Sequence, residues 1–267
     1  MLFRDSSNGA IAITQPSHAW LSGQIMRAWG NVEFGNIAPY EDVCLGAEQH
    51  DIGWLEWEQS PTLNLTTGRP HGFRDLSVAA HTAIWRRGTD LALAFGRYPA
   101  LLVSLHGTGL YANFAGAAAD AAIVQDFLGG QLAIQQRLLA SLRLDQRLGE
   151  FCRPETVDRN RRLVRTADRM SIAICTGMQD LAVRSDDPQR GIVKQVPTAA
   201  GETDIHLRVV DGDLGKIVVA PWPFVAGQVQ VACEGVLLPS RPDDEAAMRV
   251  ALGTASRVVL SVELRPT

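Results

Sequence analysis

Cysteine is scarce in this sequence of 267 residues, and its four cysteines lie far apart. Cys44, Cys152, Cys175 and Cys233 form no Cys-x-x-Cys pair. This dispersion disfavours both a thiolate zinc site and a disulfide framework, because each needs cysteines that recur at suitable spacings. We therefore expect reduced thiols, as in cytoplasmic proteins.

Long apolar runs and a secretory signal are also missing. The longest run of apolar character, residues 114–124, contains Asp120 and falls short of the roughly 20 residues that span a bilayer. The first residues lack the basic stretch followed by an apolar stretch that marks a signal peptide. We expect a cytoplasmic protein without a membrane partner.

The charge balance gives no indication of nucleic-acid binding. The formal net charge is −4, and we find no Lys/Arg-rich run that could neutralise a phosphate backbone. Hydrophobic residues make up 46% of the chain, which is enough to bury the core of a single domain over residues 1–267. This composition is also compatible with a homo-oligomer.

Six segments have the apolar spacing of helices, and together they predict a helical core over residues 15–185. They lie at about 16–29, 39–53, 75–95, 99–111, 116–143 and 155–182. A stretch rich in Pro, Gly and Thr at 60–72 predicts a long loop, and long loops in compact domains are often functional.

After Pro188 the sequence pattern changes from helical spacing to short segments typical of strands. Short β-branched segments occur at 192–196, 205–210, 216–219, 229–233 and 258–264, with one short helix predicted at 243–252. Residues 10–14 are similar, and we expect them to pair with the C-terminal strands. The prediction is α+β overall but mainly α-helical, with a small sheet formed by the β-rich extension 186–267 and residues 10–14.

Six polar residues fall on the apolar faces of the predicted helices: His18, His50, Asp51, His81, His106 and Asp168. A single inward histidine is more often a hydrogen-bonded core residue than a ligand, and a single inward aspartate is more often a cap or half of an ion pair. Together they are harder to explain in this way, because a buried carboxylate needs a partner. Imidazole and carboxylate ligands suit Zn, Fe and Mn, so the sequence predicts one or two divalent transition metal ions.

The order of these residues resembles that of the HD superfamily of metal-dependent phosphohydrolases. The His-Asp doublet is His50-Asp51, and the final ligand, Asp168, lies in Thr166-Ala-Asp-Arg-Met170. The resemblance implies an HD-domain helical bundle that hydrolyses a small anionic phosphoester through a metal-activated water. It implies these metal ligands: His18, His50, Asp51, His81, His106 and Asp168.

Three of these ligands are also catalytic candidates. Asp51 could bridge two metals, while His81 and His106 could either complete the second metal site or serve as acid/base and oxyanion contacts. Cyclic-dinucleotide phosphodiesterases of the superfamily place a lysine where this sequence has Trp54, and their Gly-Tyr-Pro triplet is absent. Cleavage of cyclic dinucleotides is therefore not expected.

Several longer motifs resemble a bacterial family known only as a domain of unknown function, over essentially the whole chain. They are Gln15-Pro-Ser-His-Ala19, His50-Asp-Ile-Gly-Trp54, Thr67-Gly-Arg-Pro70, Leu101-Leu-Val-Ser-Leu-His-Gly-Thr-Gly-Leu-Tyr111 and Pro221-Trp-Pro-Phe224.

Four residues are candidates for substrate binding. Arg69, His71 and Arg74 could bind an anion from the loop, or they could simply be solvated. Trp54 could form the floor of a pocket for a planar group, although tryptophan at this spacing is more often part of the core.

Two alternatives to a hydrolase remain open. The same ligands could hold two irons for oxygen chemistry, as in the inositol-oxygenase-like members of the superfamily. Alternatively, the metal could have only a structural or ligand-sensing role.

Overall fold

A computed structural model describes residues 1–238, 242 and 244–267, and it shows a layer of helices packed on a large sheet. The described helices are α1 (Gln15–Ala28), α2 (Tyr40–Glu48), α3 (Trp54–Glu58), α4 (Val78–Ala92), α5 (Arg97–Tyr111), α6 (Ala118–Arg143), α7 (Pro154–Thr176) and α8 (Glu245–Thr254). All six predicted helical segments form helices. The predicted helix at 243–252 corresponds to α8, although its first residue, Asp243, lies outside the described residues.

The described strands are β1 (Leu2–Ser6), β2 (Gly9–Ile13), β3 (Leu63–Asn64), β4 (Arg69–Pro70), β5 (Arg190–Pro197), β6 (Glu202–Val210), β7 (Asp213–Ala220), β8 (Val229–Leu238) and β9 (Arg257–Arg265). Seven of them form one sheet in the order β1-β2-β8-β9-β7-β6-β5, and β3 and β4 form a small hairpin within the predicted 60–72 loop. Neighbouring strands of the large sheet are antiparallel, except that β7 and β9 are parallel. Strand β2 joins the C-terminal strands by pairing with β8.

The expectation of a mainly helical bundle with a small sheet is wrong, because the sheet has seven strands and is a principal layer of the fold. The β-branched segments mark only parts of longer strands. In β6, for example, buried Ile205, Leu207 and Val209 alternate with exposed polar residues, so the strand extends beyond its apolar part. Strand β1, which carries Arg4 and Asp5, has no such apolar signal.

Helices α1 and α7 connect the two layers. Helix α1 packs against α2, α7 and β8, whereas α7 also packs against β1 and β5, which are the two edges of the sheet. Because one helix contacts both edges, the sheet curls around α7. Among the described residues, no helix combines the length and apolar character needed to cross a membrane.

Local sequence explains where these two helices begin and end. Thr14 caps α1 by accepting a hydrogen bond from the Ser17 amide, and Pro16 occupies the first turn, where it displaces no hydrogen bond. Helix α7 begins at Pro154 and ends at Gly177, which adopts the left-handed conformation that favours glycine at this position. These boundaries fix the register of both helices and thus the direction of their inward polar side chains.

Candidate metal centre

Four of the predicted ligands converge from three elements that are distant in sequence. His18 lies on α1, His50 and Asp51 lie in the turn after α2, and Asp168 lies on α7. Each is at least nine-tenths buried. One ligand atom from each of His18, His50 and Asp168 lies within 4.8 Å of the other two.

The separations of the ligand atoms fit a small coordination shell. His50 Nε2 lies 3.3 Å from Asp168 Oδ1 and 3.6 Å from Asp51 Oδ2. Neighbouring ligands of a tetrahedral ion with bonds of about 2.1 Å lie roughly 3.4 Å apart. Asp51 Oδ2 lies 2.7 Å from His18 Nε2, which is a hydrogen-bond distance, so these two atoms would move apart if both bound one ion.

A serine on α7 orients the His18 ring. Ser171 Oγ donates a hydrogen bond to the Asp168 carbonyl, and it accepts bonds from Ser22 Oγ and from His18 Nδ1 at 2.8 Å. The bond at Nδ1 turns the His18 Nε2 atom toward Asp51 Oδ2, to which it is hydrogen-bonded at 2.7 Å. A metal bound at Nε2 would replace the proton in that bond, while the Nδ1 partner would hold the ring in place.

His50 has the same arrangement. Its Nδ1 donates to the Ala47 carbonyl at 2.7 Å, while its buried Nε2 has no hydrogen-bond partner among the described residues. A buried polar atom without a partner is costly, so its position facing two carboxylates calls for a bound cation or a proton.

The charges of the cluster are strongly coupled. Burial disfavours a charged His50, but the carboxylates of Asp51 and Asp168 outweigh burial and raise the pKa of His50 to about 9. Burial likewise opposes ionisation of Asp51 and Asp168, yet the adjacent histidines hold the pKa of both carboxyls below its usual range. At neutral pH the metal-free cluster therefore holds a proton on His50, which a metal would displace.

These residues could hold a metal ion. The group consists of two imidazole nitrogens with outer hydrogen bonds and the carboxylate of Asp168, and the Asp51 carboxylate lies against both histidines. A cation that displaces the proton on His50 would balance the negative charge of these buried carboxylates.

His106 on α5 lies at the margin of this cluster. Its Nε2 is 3.8 Å from Asp168 Oδ2, and its ring packs edge-on against His50 with centroids 4.9 Å apart. Burial lowers the pKa of His106 to about 4, so the ring is neutral at pH 7.

His81 on α4 is not part of the cluster. Its Nδ1 is hydrogen-bonded to the Tyr111 hydroxyl, and its Nε2 accepts a long hydrogen bond of 3.4 Å from Trp85 Nε1. Because both ring nitrogens have protein partners, His81 is placed as part of a pocket wall instead of as a metal ligand.

The cluster lies at one side of a cavity of about 510 Å³. His18, Asp51, His106 and Asp168 reach this cavity, and Trp54 and Arg74 also line it. Arg74 forms an ion pair with Asp180 at 2.6 Å. The other two loop candidates do not line the cavity: Arg69 forms an ion pair with Asp5, and His71 is hydrogen-bonded to Thr62.

Sequence reasoning missed several residues around the cavity. Arg161, Arg165 and Arg169 line it from α7, the helix that carries Asp168. Their spacing of four residues places them on one helical face, and that periodicity could have revealed them although they form no continuous basic run. Ser171, three residues after Asp168, could have been recognised in the same way.

We expect Ser171→Ala to weaken metal binding about 10- to 100-fold, because His18 loses the group that fixes its tautomer and orientation. The measurement is a competition titration against a chromophoric chelator. Thr176→Ala is the matched control, since Thr176 is a buried hydroxyl on the same helix that bonds only to the Ile172 carbonyl. Equal metal affinity in Ser171→Ala and wild type would refute this role for the serine.

Comparison with known proteins places the chain in a family. Residues 1–240 match the family described as "Protein of unknown function (DUF3891)". No curated protein and no solved structure is significantly similar to the chain. Since the match covers most of the chain and confirms the resemblance to a family of unknown function, the protein belongs to the DUF3891 family.

Proposed function

We propose that this protein is a metal-dependent phosphoesterase that uses an HD-type ligand set. One divalent ion of Zn, Mn or Fe would be held by His18, His50, Asp51 and Asp168. The observation that carries the proposal is the convergence of His18, His50 and Asp168 beside a cavity, with Asp51 against the two histidines. Their order along the chain, His, His-Asp and Asp, supports the HD assignment.

The metal would supply positive charge for a phosphoryl group and lower the pKa of water toward roughly 7. Asp168 would also position the attacking water. Asp168 Oδ1 faces His50, whereas its Oδ2 faces His106 and is able to accept a hydrogen bond from an attacking water. Because the adjacent histidines keep Asp168 ionised, it remains an acceptor at neutral pH.

His106 would contact the phosphoryl group. A neutral imidazole beside Asp168 offers an N–H donor at the point where negative charge develops on the phosphoryl oxygens. Tyr111 lies on the same helix and has its pKa raised to about 12 by burial, so its hydroxyl keeps its proton. Because Tyr111 accepts from His81, that proton is free to bond the oxygen of a leaving group.

The cavity favours a particular class of substrate. Its volume of about 510 Å³ is in the usual range for small-molecule sites. Trp54, Trp85 and Tyr111 line it with aromatic rings. We infer a small phosphoester with a planar or apolar group, since aromatic faces bind such groups, while the metal would bind its phosphoryl group.

The geometry supports hydrolysis over the two alternatives. A di-iron oxygenase of the predicted type would need His81 as a ligand, but both of its ring nitrogens bond to Tyr111 and Trp85. A purely structural metal would be enclosed by protein, whereas Asp51 and Asp168 reach the cavity and leave one side of the site accessible.

The test is a panel of phosphomonoesters and phosphodiesters, including bis(4-nitrophenyl) phosphate, assayed with Zn, Mn or Fe. We expect turnover that chelator abolishes and metal restores, with smaller or no turnover of cyclic dinucleotides. If every ester is inert with every metal while the metal is bound, phosphoester hydrolysis is refuted.

A further inference from the structure

Helix α7 concentrates positive charge beside the metal cavity, although the chain as a whole is acidic. Residues 153–169 contain six arginines and only three acidic residues. Several of these arginines have protein partners: Arg161 pairs with Asp158, Arg162 pairs with Glu202, and Arg159 donates to the Phe34 carbonyl.

Arg165 and Arg169 differ from the others on this helix. Within the described part of the chain, neither forms a hydrogen bond or an ion pair; Arg165 is exposed and Arg169 is half-buried. Partial desolvation and the nearby arginines lower the pKa of Arg165. Like charges four residues apart on a helix destabilise it, so this arrangement has a cost that a bound anion would relieve.

The two arginines lie between two adjoining cavities. Arg165 and Arg169 line the metal cavity, and they also line a smaller cavity of about 270 Å³ that Lys194 lines from the sheet. Because the same side chains border both spaces, a ligand that enters the metal cavity can extend across them into the smaller one.

The helix sets the distance between this charge and the metal centre. At 1.5 Å of rise per residue, Arg165 lies about 5 Å along the axis from Asp168, and Arg169 is the residue directly after it. Both arginines also border the smaller cavity with Lys194, so an anion held there would lie next to the metal centre but apart from the hydrolysed phosphate, with a short spacer between them.

We propose that Arg165, Arg169 and Lys194 form a second anion subsite, which holds a phosphate group of the substrate other than the one hydrolysed. The substrate class is a small compound with two phosphate groups on opposite sides of a spacer. Planar guanidinium forks match phosphate oxygens in pairs, which makes arginine well suited to this task. The link to hydrolysis rests on the proposed function, whereas the anion binding does not.

The first test measures binding without any turnover. Calorimetric titration of chelator-treated protein with inorganic pyrophosphate is expected to show binding that Arg165→Gln/Arg169→Gln weakens about tenfold or more. The control is Arg137→Gln/Arg143→Gln, which removes two exposed charges from α6 and should leave binding unchanged. Equal affinity in wild type and Arg165→Gln/Arg169→Gln, or no binding to wild type, would overturn the subsite.

A second test separates the subsite from the proposed function. With metal bound, the Arg165→Gln/Arg169→Gln variant should raise KM about tenfold for a bisphosphate ester and leave bis(4-nitrophenyl) phosphate unaffected. If pyrophosphate binding is lost in this variant but no ester is hydrolysed by any form, the subsite stands and the phosphoesterase proposal falls. If bisphosphate and simple ester are turned over alike by variant and wild type, the subsite falls and the phosphoesterase stands.

Discussion

Asp168→Asn is expected to remove most of the bound metal and to lower kcat/KM by about 1,000-fold or more. The amide keeps the shape of the side chain but removes the negative charge that lies 3.3 Å from His50 Nε2. A metal contributes several kcal/mol of charge stabilisation to such reactions, and roughly 4 kcal/mol corresponds to a factor of 1,000.

Metal content by mass spectrometry and single-substrate kinetics measure both parts of this result. Cys44→Ala is the control, because Cys44 is buried on α2, the helix that precedes His50, and burial raises the pKa of its thiol to about 12. This variant should keep metal and activity, since carboxylate and imidazole carry the site without thiolate. Full metal content in Asp168→Asn would contradict the assignment of Asp168 as a ligand.

Gly53→Ala is expected to destabilise the fold by about 3 kcal/mol and to lower the Tm by roughly 6–12 °C. A Cβ at this position would lie 2.2 Å from the Ile84 carbonyl and 2.8 Å from the Gly88 amide, both on the backbone of α4. Helix α4 would have to move away from the turn that carries His50 and Asp51, so metal affinity should fall as well.

The matched control is Gly129→Ala within α6. A Cβ there meets nothing within 4 Å, so the substitution should stabilise the protein by about 0.5–1 kcal/mol. Thermal and urea unfolding of both variants check the pair. A Gly53→Ala protein as stable as wild type would show that the close approach of the turn to α4 is unimportant.

Periodicity predicted the helices because each one buries a single face against the fold. It underestimated the sheet, because Glu234 and Gly235 interrupt the apolar pattern of strand β8. Strand β8 continues five residues beyond the predicted end at Cys233, to Leu238. The antiparallel partners β2 and β9 supply its hydrogen bonds, and that tertiary pairing has no local signal in the sequence.

The inward position of His18, His50, Asp51 and Asp168 could be predicted, because a polar residue on an apolar helical face is visible in the sequence. The Tyr111 partner of His81 could not be predicted, because this bond depends on how α4 packs against α5. Trp85, the other partner, lies four residues after His81 on α4, and helical spacing does indicate that contact.

The substrate-binding residues were the least predictable part. The prediction favoured Arg69 and His71 because they lie in a long loop, yet both have partners outside the cavity. Arg165 and Arg169 line the cavity only because α7 turns one face toward it. Which face that is depends on the curl of the sheet around the helix.

The proposed metal centre can be tested by a crystal structure of protein purified without chelator, with anomalous diffraction recorded at the absorption edges of Zn, Mn and Fe. We predict one anomalous peak about 2.0–2.2 Å from the Nε2 atoms of His18 and His50 and from carboxylate oxygens of Asp51 and Asp168. A peak elsewhere, or no peak after crystals are soaked in each metal, would contradict it.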